Sequence, residues 1–185
     1  MHEENLRGLT VEAFHDLLED GELTVEAIVT WYLDRIEQYD RSGPALNAVV
    51  TVNNEAISRA KQLDQAFADD GFAGPLHGVP VLLKDQAMTA GLRTTFGSEA
   101  FADYVPEKNA TIVDELEAAG AVILGKTNLP DFAAGFVGYS SVHGQTRNPY
   151  DLSRDSGGSS AGTGAGIAAD LGLVGIGEDT GGSIR

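Results

Sequence analysis

At 185 residues the chain is long enough for one domain with a sizeable core. It has no Cys, which excludes disulfides and thiolate metal sites, and its 28 Asp and Glu against 12 Lys and Arg leave a formal net charge of −16. That charge argues against direct contact with nucleic acid or an anionic membrane, since both need basic surfaces. With no N-terminal apolar h-region and no apolar run of ~18 residues, the sequence reads as soluble and cytoplasmic.

Taken in order, Leu9-Thr-Val-Glu-Ala13 recurs as Leu23-Thr-Val-Glu-Ala27. Each Thr suits a helix N-cap and each Glu the first turn, so two similar helix starts are predicted. Gly21 ends the first helix, and Arg41-Ser-Gly-Pro44 turns the chain after the second. In that second helix Val25, Ile28, Val29, Tyr32, Leu33 and Ile36 follow the i, i+3, i+4, i+7 pattern. Leu46 to Val52 reads as a strand, Glu55 to Ala68 as an amphipathic helix, and residues 69–75 as a surface loop. Val79 to Leu83 is a short apolar run that predicts a buried strand. Ala110 to Ala119 predicts a helix capped by Gly120, and Ala121 to Leu124 another buried strand, with Gly125 to Pro130 as the loop after it. Strands alternating with helices predict an α/β domain with covered sheet faces. No internal boundary is visible: residues 1–43 supply N-terminal helices and 44–185 an α/β core.

The final stretch, from Asp155 to Arg185, holds ten of the 23 Gly. Such a composition fits a flexible linker, but the apolar run Ile167 to Ile176 reads instead as buried structure. Two hydroxyl-bearing turns, Gly157-Gly158-Ser159-Ser160 and Thr180-Gly181-Gly182-Ser183, bracket that run. Gly beside Ser lets backbone N–H groups converge on one point, as an oxyanion hole requires.

The segment GGSSAGTGAGIAAD followed by GEDTGGSIR resembles the signature of the amidase signature family, and the resemblance extends over most of the chain. It implies an α/β fold with a mixed β-sheet covered by helices on both faces, and amide hydrolysis by a Ser–Ser–Lys triad. By that resemblance Ser183 is the nucleophile, Ser159 the bridging serine on a cis peptide, and Lys84 the base. The N–H groups of Thr180, Gly181, Gly182 and Ser183 would stabilise the oxyanion, with Ser160, Asp179 and Arg185 in supporting positions. Water would hydrolyse the acyl-enzyme, so neither cofactor nor metal is expected. Gly125-Lys-Thr-Asn-Leu-Pro130 also resembles a family segment near the active site. Two residues depart from the family pattern: Ala161 stands where Gly is most common, and Glu178 where a small hydroxyl residue is usual. In the family the polypeptide continues well past the position of Arg185, so an N-terminal portion is expected. The expected partners are a small-molecule amide and either a second copy in a homo-oligomer or the missing C-terminal portion. The alternatives are the A-type, glutamine-hydrolysing component of a tRNA-dependent amidotransferase, and an inactive fragment.

The chemistry can be weighed residue by residue. A serine hydroxyl needs a base to take its proton. None of His2, His15, His77 and His143 has a spacing that recommends it. A lysine serves if burial keeps it neutral, and moving it from ~10.4 to ~8 corresponds to roughly 3 kcal/mol of differential solvation. Lys84 ends an apolar strand; Lys61 lies on an amphipathic helix, Lys108 in a polar stretch and Lys126 in the expected loop. Each residue also has a plainer use. A lysine at a strand end is usually solvated, Ser159 and Ser160 suit a cap for the helix starting near Ala161, and Ser183 suits a turn. Three short motifs offer other chemistries. Gly158-Ser-Ser-Ala-Gly162 fits an esterase elbow around Ser160 with no His after it in these 185 residues, an objection that an N-terminal portion leaves incomplete, and Ser58-Arg-Ala-Lys61 lacks its companion motifs. Gly164-Ala-Gly-Ile-Ala-Ala169 fits a dinucleotide fingerprint without a strand before it.

Self-repulsion from a charge of −16 destabilises a compact state unless salt screens it, so salt adaptation is the working hypothesis. The unfolding temperature should rise between low salt and molar KCl in a thermal melt. A flat response would leave an ordinary acidic protein.

Overall fold

The computed structural model describes residues 6–185; His2 lies outside them. Helix α1 (Val11–Glu19) starts at Thr10, whose hydroxyl accepts the Ala13 N–H at 3.1 Å, and α2 (Val25–Arg35) starts at Thr24 in the same way. Beyond α2 a π-helical turn carries the chain from Ile36 to Arg41. Strand β1 (Val49–Val52) follows, then α3 (Ala56–Asp70), β2 (Pro80–Lys84), α4 (Thr111–Ala118) and β3 (Val122–Thr127). Two small hairpins pair β4 (Tyr139–Ser140) with β5 (Gly144–Gln145) and β6 (Arg147–Asn148) with β7 (Asp151–Asp155). Helix α5 (Ala161–Ala168) and β8 (Val174–Ile176) complete the chain.

The main sheet has the order β1-β3-β2-β8, with β1 antiparallel to β3 and the other pairs parallel. Mixed pairing with helices in the crossovers gives the α/β architecture. Side chains alternate across a strand, so Leu82 and Lys84 share one face of β2. That face belongs to α5: Gly166 and Gly172 lie against Leu82, and Thr163 meets Thr127 of β3 at 2.6 Å. The closest approach is at Gly162, where an added Cβ would collide with both the Ala48 carbonyl oxygen and the Asn128 nitrogen. Only a residue without a side chain lets the first turn of α5 come so near the sheet. On the opposite side α2 and α3 pack together and bury Val25, Ile28, Tyr32, Ala60 and Leu63 in the main core.

Three expectations need correction. β1 begins at Val49 rather than Leu46, because Ala45 and Asn47 adopt positive φ and the buried Asp40 carboxylate takes the N–H groups of Ala48 and Val49. Lys126 lies in strand β3, fully buried, rather than in the expected loop: parallel pairing to β2 runs on to Thr127. The run Ile167 to Ile176 is only partly buried, since β8 is an edge strand; Leu171 alone among its large side chains is fully enclosed. No helix among the described residues is long and apolar enough to cross a membrane.

Candidate active site

The loop before α5 and the end of β2 meet at Lys84. Its side chain is 2% exposed, and its Nζ donates to Ser159 Oγ at 2.7 Å. The same amine lies 3.4 Å from the Glu178 carbonyl oxygen and 3.5 Å from Glu178 Oε2. Burial pushes the Lys84 pKa down, while the Glu178 and Asp179 carboxylates pull it back up. The net direction is down: desolvation outweighs the partners. Ser159 is fully buried and the peptide preceding it, Gly158–Ser159, is cis.

Ser160 caps nothing with its side chain, although it is the residue before α5. Its hydroxyl donates to the Glu178 carbonyl at 3.2 Å and lies 3.3 Å from the Glu178 nitrogen, clamping the start of α5 to the loop after β8. Its own N–H donates to the Ser183 carbonyl at 3.0 Å. Ser183 is thereby held by its backbone, half-buried beside a cavity of about 610 Å³ whose walls include Phe96, Phe132, Phe136 and Gln86. Among the described residues no hydrogen bond joins the hydroxyls of Ser159 and Ser183, so the first link of the expected relay is formed and the second is not.

The carboxylate of Asp179 organises the loop. It accepts the N–H groups of Gly182 at 2.6 Å, Ile184 at 3.2 Å and Arg185 at 3.1 Å, and pairs with the Arg185 guanidinium at 3.0 Å. These donors hold its pKa well below the usual carboxylate range. One expected oxyanion donor is thereby committed elsewhere: the Gly182 N–H points at Asp179. The N–H groups of Thr180, Gly181 and Ser183 make no hydrogen bond among the described residues.

No histidine among the described residues joins this group. His143 Nε2 is 3.1 Å from Thr95 Oγ1, and burial with Arg93 and Arg41 nearby lowers its pKa to about 4. His77 is enclosed among Phe67 and Phe72, and His15 Nε2 contacts its carbonyl at 2.9 Å. Among the described residues no histidine stands beside Ser160 to serve the elbow reading. Lys61 and Lys108 are exposed. No cluster of His, Asp and Glu that could hold a metal ion exists among the described residues.

A second buried lysine has no counterpart in the sequence-based expectations. Lys126 Nζ donates to the Ala87 carbonyl at 2.6 Å and Thr94 Oγ1 at 2.7 Å, and lies 3.4 Å from Asp85 Oδ1. Asp85 follows Lys84 directly, so alternation along β2 sends it to the other face, where Lys126 emerges beside Leu83. Desolvation lowers the Lys126 pKa to about 8 and raises that of Asp85. The signal was present in Lys84-Asp85: two adjacent charges at the end of an apolar strand cannot share a face, and the second needs its own buried cation.

The family model described as Amidase matches residues 27–185. The chain belongs to the amidase family. A curated relative, the A component of the glutamyl-tRNA(Gln) amidotransferase of Caldanaerobacter subterraneus subsp. tengcongensis, is 43% identical over 181 residues, covering 97% of this chain and 36% of the relative. Peptide amidase from Stenotrophomonas maltophilia superimposes with a TM-score of 0.93 at 41% identity, over 96% of this chain and 37% of that one. An amidase family protein from Bacillus anthracis str. Ames does so at 0.93 and 35% identity, over 98% and 37%. The chain thus spans little more than a third of the length of these relatives.

The Lys126–Asp85 pair yields a stability test. Lys126→Met should cost about 3–5 kcal/mol in urea unfolding, because it strands a buried carboxylate. Adding Asp85→Asn should recover at least half of that loss. Additive losses would show that the two groups are not coupled.

Proposed function

We propose that this chain is the N-terminal part, residues 1–185, of a single amidase domain that hydrolyses a carboxylic amide to an acid and ammonia or an amine. The observation that carries the reading is the 2.7 Å hydrogen bond from a buried lysine to a buried serine, Lys84 to Ser159. A neutral amine there is a base beside a hydroxyl that can pass on a proton.

In the proposed sequence Ser183 attacks the amide carbonyl and loses its proton to Ser159, which passes its own to Lys84. The C–O bond forms as the carbonyl π electrons move to oxygen. The free N–H groups of Thr180, Gly181 and Ser183 are the donors available to that oxyanion, while Gly182 is taken by Asp179. Collapse breaks the C–N bond, and the proton returns through Ser159 to the departing amine. Water then attacks the acyl-enzyme by the same relay, releasing the acid and restoring Ser183. The relay needs a hydrogen bond from the Ser183 hydroxyl to Ser159, beside the one that Ser159 already makes with Lys84. No cofactor enters any step.

A second reading follows from the names of the relatives. The A component of a tRNA-dependent amidotransferase would run the same chemistry on glutamine and hand the ammonia to a partner. The acidic composition, with net charge −16, fits a component that leaves the nucleic acid to others. A cytoplasmic location and salt adaptation belong to the same proposal.

Covalent labelling tests the reading. Expressed from the complete reading frame, the protein should react with a fluorophosphonate at Ser183. Ser183→Ala should abolish labelling, and Lys84→Ala should cut its rate by about 10²-fold or more, the scale of lost general-base catalysis. Labelling that moved to Ser160, or survived Ser183→Ala, would overturn the nucleophile assignment.

A further inference from the structure

Glu178 occupies a position that the resemblance leaves unexplained, and its surroundings give it a task. Its Oε2 lies 3.5 Å from Lys84 Nζ, and its backbone carbonyl lies 3.4 Å from the same amine. The other carboxylate oxygen, Oε1, accepts the hydroxyl of Thr180. Its backbone is clamped by Ser160. The side chain is 37% exposed and lines the cavity that Ser183 borders. One residue therefore touches the amine at the end of β2, the serine turn before α5 and the first residue of the loop that carries Ser183. A small hydroxyl residue at this position would have no carboxylate to span from Nζ to Thr180.

We infer that Glu178 is a positioning residue of the amidase site, the counter-ion that holds Lys84 against Ser159 and ties it to the Thr180–Ser183 loop. The inference rests on the base role proposed for Lys84. Its consequence is electrostatic. A carboxylate beside the amine favours the ammonium and so opposes the neutral form that can accept a proton. Glu178 thus trades basicity at low pH for a fixed amine.

The groups facing Lys84 are few. From the loop after β8 come Glu178 and Asp179, and Asp179 is committed to Arg185 and three backbone N–H groups. From the turn before α5 comes the hydroxyl of Ser159, while that of Ser160 bonds the Glu178 backbone. On the neighbouring strand the charge of Lys126 points to the opposite face and is met there by Asp85. Glu178 is the carboxylate in contact, and the one whose removal should be read directly.

The test is the pH dependence of the rate at which fluorophosphonate labels Ser183 in the complete protein, which needs no knowledge of the substrate. The rate should rise with pH as Lys84 loses its proton. In Glu178→Gln, which keeps the side-chain shape and a partner for Thr180, the rising limb should move to lower pH by about one unit. Glu178→Ser removes the charge with a shorter side chain and should move the limb in the same direction. A limb unmoved in both variants would overturn the inference, as would a uniform loss of rate without a shift. If labelling proves independent of Lys84 altogether, the base assignment has failed and not only the role of Glu178. If labelling needs Lys84 and Ser183 yet the limb stays in place, the failure belongs to Glu178 alone.

Discussion

An ammonium group removed from water loses solvation that only a close anion or hydrogen-bond network restores. At Lys84 the compensation is incomplete: one serine hydroxyl at 2.7 Å and a partly solvated carboxylate at 3.5 Å. The amine is therefore pushed toward its neutral form, and everything else in the site is arranged about that amine. β2 is buried along its whole length, so it delivers the side chain into the interior rather than to the surface. The turn before α5 presents the Ser159 hydroxyl to it, and Ser160 locks the next residue to the loop after β8. The proposed base depends on an unfavourable burial that the fold enforces.

The sheet makes this possible by sending two buried lysines to opposite faces. Lys84 pairs in register with Thr127, and Leu83 with Lys126, so the two amines leave adjacent strands on opposite faces. Lys126 finds Asp85, two oxygen acceptors and complete burial, a set of partners that fixes the end of the β2–β3 pair. Lys84 finds the Ser159 hydroxyl and the partly exposed Glu178. The same residue type in the same layer is structural on one side and chemically poised on the other. What differs is the polarity of the element packed above each: α5 arrives with Ser159, Ser160 and Thr163, and comes close because Gly162 leaves room against Ala48 and Asn128.

Much of this was legible in the residues themselves. Thr10 and Thr24 announced their helices because a capping hydroxyl is a local device, and both make the expected bond. The apolar run ending in Lys84 announced a buried strand because hydrophobic continuity is also local. What escaped depended on which partner a group finds, near or far in the chain. β1 starts late because Asp40, eight residues earlier, takes the N–H of Ala48. Lys126 looked solvent-bound because Gly125 and Thr127 around it carry no strong strand signal; its place is set by pairing with β2. Gly182 looked like a free donor, but Asp179 claims its N–H. The four-stranded order also lay beyond the sequence, since the partners of β8 are far away in the chain.

The most direct measurement of the central claim is an NMR titration of the lysine side-chain nitrogens. The chain has four lysines, Lys61, Lys84, Lys108 and Lys126, so assignment by single substitution is practical. The account predicts that Lys84 titrates below the ordinary value of 10.5, and that Ser159→Ala alters its signal while leaving that of Lys61 in place. A Lys84 amine titrating at or above 10.5, indifferent to Ser159→Ala, would mean a solvated cation, and would remove the base on which the site is built.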